Sequence, residues 1–491
     1  MERRFHLFLI VLFLLSGVGN PALALNGAHQ SFEAGIAAYR KGDFSAALAA
    51  FQKAQKASPN EPVILNWIGF LDLRLGAYKD AIGPLSTATR LDPHYSAAYN
   101  NLGTAYLNAG RLNEAIKTFK TVIKLQPKAS NPHYNLGNIY IHQGQLLDAV
   151  FEYRLAARLN PRDPYVQNNL GVALQRLGKP LEAVSSYKKA VSLAPKKSAF
   201  WLNLGSAYLD AGQPGSAVAP LQRAIQLEPN SYAIRLAYAQ ALMGAGKQDQ
   251  AIPAFQSAAQ LEPKEFTPNE ALGILYLRTG DYKRAAAAFQ RALQVQGNNP
   301  RALNGLGLAE FRLTDYSQAI SAFGRLTAVS PGNADAWINL GTAQAKAGQM
   351  RAAAASWRIG IEKDPRRVDV LRWLGSYYLG KGDLREARIE FGKALAINPR
   401  DVESLNGMGL VMNQQGKSKE AIAYFKKAIT VQPKYAAAYN NLGVVYEENG
   451  NSALALNCYR RALVIDPHYA DARTNLERFK KHNRNTTPTN H

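Results

Sequence analysis

The feature that most constrains this chain is a proline that returns every 34 residues. It stands at Pro59, Pro93, Pro127, Pro161, Pro195, Pro229 and Pro263, is replaced once by Gly297, and resumes at Pro331, Pro365, Pro399, Pro433 and Pro467. These thirteen positions follow one another without an insertion or a deletion. A period of this length is typical of stacked structural repeats, each of which buries its apolar face against its neighbours. The sequence therefore predicts a repeat array in place of a single globular core.

If each unit ends two residues after its proline, the units share further positions. They start at residues 28, 62, 96, 130, 164, 198, 232, 266, 300, 334, 368, 402 and 436. Positions 8 and 15 are glycine except at Ala239 and Thr314, position 20 is always alanine, and position 24 is aromatic or leucine. We expect the position-15 glycine to end a first helix, because glycine adopts a positive φ at little cost. We expect the proline at position 32 to stop a second helix.

Between these breakers the apolar residues recur at helical spacing. In the unit that starts at 96, Tyr99, Leu102 and Tyr106 mark one face of a first helix, and Ala115 and Phe119 mark a second. The pattern of small and large positions resembles the tetratricopeptide repeat (TPR) family, and the resemblance covers residues 28–468. It implies an all-α, right-handed α-solenoid of 13 helix-turn-helix TPR units with a concave groove lined by the first helices.

The two ends of the chain differ from the repeats. Arg3 and Arg4 precede a mostly apolar run over residues 7–18, and small residues at 22 and 24 form a cleavage pattern. We therefore expect a signal peptide over residues 1–24, cleaved after Ala24, and a mature TPR domain over 25–482 in the periplasm of a Gram-negative bacterium. The alternative is an uncleaved signal that anchors the protein in the membrane. We also expect a capping helix over 470–482 and a disordered tail over 483–491.

Charge and cysteine content narrow the class of partner. The net charge is +22, with no block of five or more consecutive Lys or Arg residues. This balance favours acidic protein partners or a peripheral contact with an anionic membrane surface, and we do not expect an exported protein to bind nucleic acid. The single cysteine, Cys458, excludes an intrachain disulfide. Its place in an apolar helical register predicts a small core residue.

The sequence contains no recognisable catalytic constellation. Its eight histidines show no metal-ligand spacing, and no GxSxG, HExxH or P-loop pattern occurs. The GLG and GMG runs at 305–307 and 407–409 end on the repeat glycine of position 8, so we do not interpret them as dinucleotide loops. We expect no enzyme activity, no cofactor and no metal site.

Asparagine recurs at two adjacent positions of the first helix. Position 6 is Asn101, Asn135, Asn169, Asn203, Asn339 and Asn441, and position 5 is Asn66, Asn100, Asn168, Asn304, Asn406 and Asn440. Stacking turns these residues into a ladder of amides that face the groove. An amide offers a donor and an acceptor, so the ladder can hold an extended peptide by its backbone. The alternative is that the amides bond neighbouring backbone and are structural.

The amide ladder is similar to that of the TPR superhelix of O-linked N-acetylglucosamine transferases, which hold protein substrates by their backbones. The resemblance implies that Asn101, Asn135, Asn169 and Asn203 form the core of a peptide site. No glycosyltransferase domain is recognisable after the repeats, so we expect only the binding function.

Position 13 of the first helix is basic in six units. These residues are Arg40, Arg74, Arg176, Arg278, Arg312 and Lys346. Arginine beside amides favours acidic groups on a ligand, although TPRs often carry a basic residue at this position for other reasons. Asn138 matches one position of a carboxylate clamp, but Tyr134 occupies the position that would need lysine, so we do not expect that clamp.

Taken together, these features predict an exported TPR scaffold or adaptor that binds partner proteins or extended peptides, in the assembly of an envelope or secretion complex. The alternative is a non-catalytic accessory subunit of a glycosyltransferase or polysaccharide-export complex. Units 7 to 9 interrupt the ladder at Ala237, Ala271 and Gly305. This interruption suggests two binding stretches, 96–231 and 334–469. The sequence does not indicate an oligomeric state.

Overall fold

A computed structural model of the chain describes residues 28–485, with side chains to residue 481. Within these residues it contains twenty-seven α-helices and no β-strand. The first fourteen are α1 His29–Arg40, α2 Phe44–Ala57, α3 Pro62–Leu75, α4 Tyr78–Leu91, α5 Ser96–Asn108, α6 Leu112–Leu125, α7 Ser130–His142, α8 Leu146–Leu159, α9 Pro164–Arg176, α10 Pro180–Leu193, α11 Ser198–Asp210, α12 Pro214–Leu227, α13 Tyr232–Gly244 and α14 Gln248–Leu261. The others are α15 Phe266–Thr279, α16 Tyr282–Val295, α17 Pro300–Arg312, α18 Tyr316–Val329, α19 Ala334–Lys346, α20 Met350–Lys363, α21 Val368–Gly380, α22 Leu384–Ile397, α23 Val402–Gln414, α24 Ser418–Val431, α25 Ala436–Glu448, α26 Ser452–Ile465 and α27 Ala470–Asn485.

The helices confirm the thirteen helix-turn-helix repeats and the all-α solenoid fold. Each unit contributes one odd-numbered first helix and one even-numbered second helix, and consecutive helices pack against each other from α1 to α13 and from α15 to α27. The position-15 glycines adopt left-handed backbone angles, as at Gly110 with a φ of 78°. Thr314 occupies the same turn in unit 9 and is forced to a φ of 62°, a strained conformation for a β-branched residue.

Small residues let the two helices of a unit approach closely. A Cβ atom on Gly103 would lie 2.7 Å from Cε1 of Phe119, the aromatic residue at position 24 of the same unit. Phe119 and the position-20 residue Ala115 are fully buried. The glycine and the ring therefore fit together, and the contact sets the distance between the first and second helices.

The chain divides into two compact units, Met1–Ala254 and Phe255–His491, with the boundary inside α14. The core of the first contains Tyr153, Tyr187 and Phe200. The core of the second contains Phe391 and Tyr459, among others. The boundary falls in unit 7, the first of the three units in which the asparagine ladder is interrupted.

The last helix covers the end of the second compact unit. Phe479 of α27 is buried, and its ring centroid lies 6.2 Å from that of Tyr459. The helix runs to Asn485, so the first three residues assigned to a disordered tail are helical, and residues 486–491 lie outside the described part. The predicted signal peptide over 1–24 also lies outside it. None of the helices within 28–485 is long and apolar enough to cross a membrane.

Candidate functional site

Most of the predicted ladder asparagines bond to one another across the junctions between units. The position-6 amide nitrogen of one unit donates to the position-5 amide oxygen of the unit before it, because the stacked first helices place these two positions side by side. The pairs are Asn101 to Asn66 (2.9 Å), Asn203 to Asn168 (2.9 Å), Asn441 to Asn406 (3.0 Å) and, from the capping helix, Asn475 to Asn440 (2.9 Å).

The first of these pairs is part of the core. Asn66 is 0% exposed and Asn101 is 2% exposed. The Nδ2 atom of Asn66 also donates to the hydroxyl of Tyr95 at 3.2 Å. Burial raises the pKa of Tyr95 to about 12, so this hydroxyl keeps its proton. The amide pair is therefore an internal connection between α3 and α5, and Asn101 is not free to face a groove.

A tyrosine takes the position-5 place in unit 4. Asn169 donates to the hydroxyl of Tyr134 at 3.0 Å and to Oδ1 of Asn138 at 3.2 Å. The hydroxyl of Tyr153 donates to the same Asn138 oxygen at 2.7 Å. Asn138 thus accepts hydrogen bonds from one side chain in each of two adjacent units, and the Tyr134 hydroxyl is the acceptor where an asparagine oxygen accepts at other junctions.

Two junctions keep their amides free. Asn100 and Asn135 occupy the paired positions between units 3 and 4, and Asn304 and Asn339 occupy them between units 9 and 10. All four are half-buried, and within residues 28–485 their side-chain amides make no hydrogen bond. Each compact unit therefore contains one open junction, at which two amides can bond to something outside the chain. Peptide binding by the ladder stays a prediction, and these four are the asparagines best placed for it.

The position-13 bases lie on the surface in most units. Arg74 is half-buried, with its guanidinium carbon 4.9 Å from the centroid of the Phe44 ring. The others are exposed, and across the described part none of the six forms an ion pair. These five exposed bases are Arg40, Arg176, Arg278, Arg312 and Lys346.

Two of these bases line one pocket in the second compact unit. It lies between the first helices of units 8 and 9, has a volume of about 490 Å³, and contains Arg278, Arg312, Arg301 and Asn304. A similar pocket of about 390 Å³ lies between the first helices of units 11 and 12 and contains Arg372, Trp373 and Asn406. Both are placed over a position-6 glycine, Gly305 or Gly407. These pockets could not be predicted from the repeat pattern, although glycine occurs at position 6 only in these two units.

The two side chains most suited to catalysis are His133, which contacts a carboxylate, and Cys458, whose thiol is kept protonated by burial. His133 is buried, and its Nδ1 atom lies 2.7 Å from Oε2 of Glu152. Cys458 is half-buried beside the core of the second compact unit, and burial raises the pKa of its thiol to about 11. In the part of the chain that the structure describes, no three His, Cys, Asp or Glu side chains gather as metal ligands would.

Family sequence models cover the chain from residue 22 to residue 467 without a gap. Models described as tetratricopeptide repeat match residues 22–62, 32–96, 85–117, 164–197, 270–323, 309–355, 338–402 and 401–467, and one described as TPR repeat matches 105–144 and 137–178. A model described as the cytochrome c-type biogenesis protein H TPR domain matches 188–295. No curated protein matches the chain.

Solved structures with a similar helical arrangement include the following three. YrrB, a TPR protein with an unusual peptide-binding site, has 22% identity over 38% of this chain and 95% of its own, with a TM-score of 0.35. The Cut9–Hcn1 hetero-tetramer of APC/C has 15% identity over 93% and 97%, with a TM-score of 0.35. MamA has 25% identity over 34% and 92%, with a TM-score of 0.33. TM-scores this low say nothing about what this chain binds. The repeat pattern, the helices and the family models agree, and the chain belongs to the tetratricopeptide repeat family.

Proposed function

We propose that this protein is a non-catalytic TPR scaffold that holds extended segments of partner proteins along the face formed by its first helices. The observation that carries the proposal is the pair of open junctions, Asn100 with Asn135 and Asn304 with Asn339. The four amides are half-buried and remain within reach of water, so a ligand that covers them must offer hydrogen bonds in place of that water. A bound peptide backbone would supply both the donor and the acceptor that each amide lacks.

The same proposal explains why the other junctions do not serve as peptide sites. Where Asn101 bonds to Asn66 and Asn203 bonds to Asn168, a ligand would have to break an existing hydrogen bond to enter. At the open junctions it would break none. Binding should therefore concentrate at units 3–4 and at units 9–10, one stretch in each compact unit.

We further propose that the protein is exported and assists the assembly of an envelope or secretion complex. The charged, apolar and small-residue sequence of residues 1–24 supports export. The match of residues 188–295 to a TPR domain of a cytochrome c-type biogenesis protein supports a role in assembly. Mass spectrometry of the protein purified from its source should find a mature chain that begins at Leu25. A chain that retains residues 1–24 would contradict cleavage and favour the membrane-anchored alternative.

The binding proposal is tested by crosslinked capture from the cell-envelope fraction with two variants of the full chain. The test variant carries alanine at the four open amides, Asn100, Asn135, Asn304 and Asn339. The control variant carries alanine at four exposed asparagines outside the first-helix face, Asn60, Asn113, Asn230 and Asn298.

We expect the control variant to capture the same partners as the unmodified chain and the test variant to lose them. Both should keep their helical content by circular dichroism, because neither variant breaks a hydrogen bond within the described residues. Equal capture by the test and control variants would refute the proposal and direct attention to other surfaces.

A further inference from the structure

The pocket between units 8 and 9 exists because the repeat pattern is broken at position 6. A Cβ atom on Gly305 would lie 2.3 Å from Cζ of Phe289, so no other residue fits there without displacing the ring. Glycine allows Phe289 of the preceding unit to form one wall and leaves open space above it. The pocket of about 490 Å³ is therefore a built feature of α15 and α17, and not a chance gap on the surface.

The polar lining of this pocket is positive and largely unpaired. Arg278 and Arg312 are exposed, and neither takes part in an ion pair within residues 28–485. Arg301 is 3.5 Å from Oε1 of Glu270, too far for a hydrogen bond, and that buried oxygen has no hydrogen-bond partner. The free amide of Asn304 lies in the same pocket. At least two guanidinium groups are therefore available to a ligand.

The other walls of the pocket are apolar. Leu308 of α17 is 37% exposed, and Ile274 and Leu277 of α15 and Tyr282 of α16 are half-buried around it. An aliphatic or aromatic group placed here would remove apolar surface from water, which stabilises binding. The pocket thus combines cations at its rim with an apolar interior.

The pocket between units 11 and 12 offers a natural comparison. It is built in the same way, since a Cβ atom on Gly407 would lie 2.4 Å from Cζ of Phe391. Its arginine, Arg372, is instead paired with Asp401 at 3.2 Å and with Glu403. Its asparagine, Asn406, already accepts a hydrogen bond from Asn441. The glycine pocket can therefore form without unpaired cations, and their presence between units 8 and 9 is a separate feature of the chain.

We propose that the pocket between units 8 and 9 is a specificity subsite for an acidic segment of the bound partner. Arg278 and Arg312 bind Asp or Glu side chains of that segment, the amide of Asn304 bonds to its backbone, and a neighbouring Leu, Ile or Phe side chain enters the space above Gly305. Arginine suits this role because its planar donors pair with a carboxylate in a bidentate manner. The inference rests on the proposed function, because it assigns a ligand chemistry to the same first-helix face.

The test is selection of a displayed library of random twelve-residue peptides on the purified full chain. We expect enriched peptides to contain Asp or Glu next to an aliphatic or aromatic residue. Binding of these peptides should weaken at least tenfold in the R278Q/R312Q variant and should also weaken as salt is added. The matched control is R351Q/R388Q, which removes the same charge from exposed positions on α20 and α22 that form no ion pair within residues 28–485. That control should bind like the unmodified chain.

A charge-reversed variant gives a gain-of-function arm. The R278E/R312E variant should select peptides with Lys or Arg in place of the acidic residues. Both positions are exposed, so folding should be unaffected.

Enrichment without an acidic preference would overturn the subsite and leave the proposed function standing. If acidic peptides are enriched but R278Q/R312Q and R351Q/R388Q weaken their binding equally, the subsite is likewise overturned and the proposed function stands. Failure to enrich any peptide on the unmodified chain would overturn the proposed function, and the subsite with it.

Discussion

The buried amide pair between Asn66 and Asn101 predicts a clear energetic coupling. Replacing Asn101 by leucine, which has nearly the same shape, removes the donor and leaves the Oδ1 atom of Asn66 buried without a partner. Replacing Asn66 by leucine leaves the amide of Asn101 in the same state. In the double variant both amides are gone and two apolar side chains meet, while the half-buried hydroxyl of Tyr95 loses the hydrogen bond from Asn66.

The magnitude follows from the burial of the pair. An unsatisfied buried polar group costs about 1–3 kcal/mol, whereas the loss of both partners to apolar groups of similar shape is close to neutral. Each single variant should therefore destabilise by about 1–3 kcal/mol, and the double variant by less than the sum of the two. Asn135→Leu is the matched control, since its amide has no partner in the described chain, and it should cost less than about 0.5 kcal/mol.

Hydrogen exchange measured by mass spectrometry suits this test, because a repeat array opens locally and a global unfolding curve would average over many units. In Asn101→Leu, amides of α3 and α5 should exchange about 5- to 150-fold faster, which corresponds to about 1–3 kcal/mol. Exchange in the double variant should return towards that of the unmodified chain. Equal effects of Asn101→Leu and Asn135→Leu, or simple additivity of the two single variants, would refute the reasoning.

Three further predictions concern stability. Thr314→Gly should stabilise the protein by about 0.5–1 kcal/mol, because relief of about 1–2 kcal/mol of left-handed strain exceeds the entropy cost of glycine. Gly348→Thr, at the equivalent turn of the next unit, should destabilise it. The urea midpoints of the two variants should therefore move in opposite directions. Gly305→Ala should destabilise the protein by about 1–3 kcal/mol, because the added Cβ overpacks Phe289. Gly324→Ala has open space around its Cβ and should stabilise the protein by about 0.5–1 kcal/mol. Thermal melting should therefore show a lower midpoint for Gly305→Ala and a higher one for Gly324→Ala. Burial raises the pKa of Asp72 to about 6, so the folded state holds this proton more tightly than the unfolded state, and the free energy of unfolding should fall as pH rises from about 4 to about 6. Asp72→Asn should remove that decline, worth about 1–2 kcal/mol after allowance for water near the carboxylate, and an unchanged pH profile would contradict the assignment.

The repeat boundaries could be predicted from the sequence because they depend on local chemistry. Glycine at position 15 and proline at position 32 act within their own turns, so the helix ends at Gly110 and Pro127 follow from residue type alone. The pairing of small and aromatic positions also lies within one unit, as with Gly103 and Phe119.

Residue type within one unit does not predict whether a given asparagine is hydrogen-bonded to another unit or free to bind a ligand. Whether Asn101 faces a groove or bonds to Asn66 depends on how two units stack, which the composition of either unit does not reveal. The same limit applies to the pocket over Gly305, since its wall is Phe289 of the preceding unit. The sequence signals were present in both cases, as adjacent asparagines and as an isolated position-6 glycine, but their meaning depends on contacts between units.

The central claim, that partner segments lie on the first-helix face at the open junctions, can be tested directly by site-specific photo-crosslinking. A photo-reactive amino acid would be placed at Asn304 on that face and, as a control, at Phe151, which is 60% exposed on second helix α8. Crosslinks from position 304 should join the chain to one linear segment of a partner, as identified by peptide mass spectrometry, and crosslinks from position 151 should not. Capture of the same segment only from position 151, with none from position 304, would contradict the account.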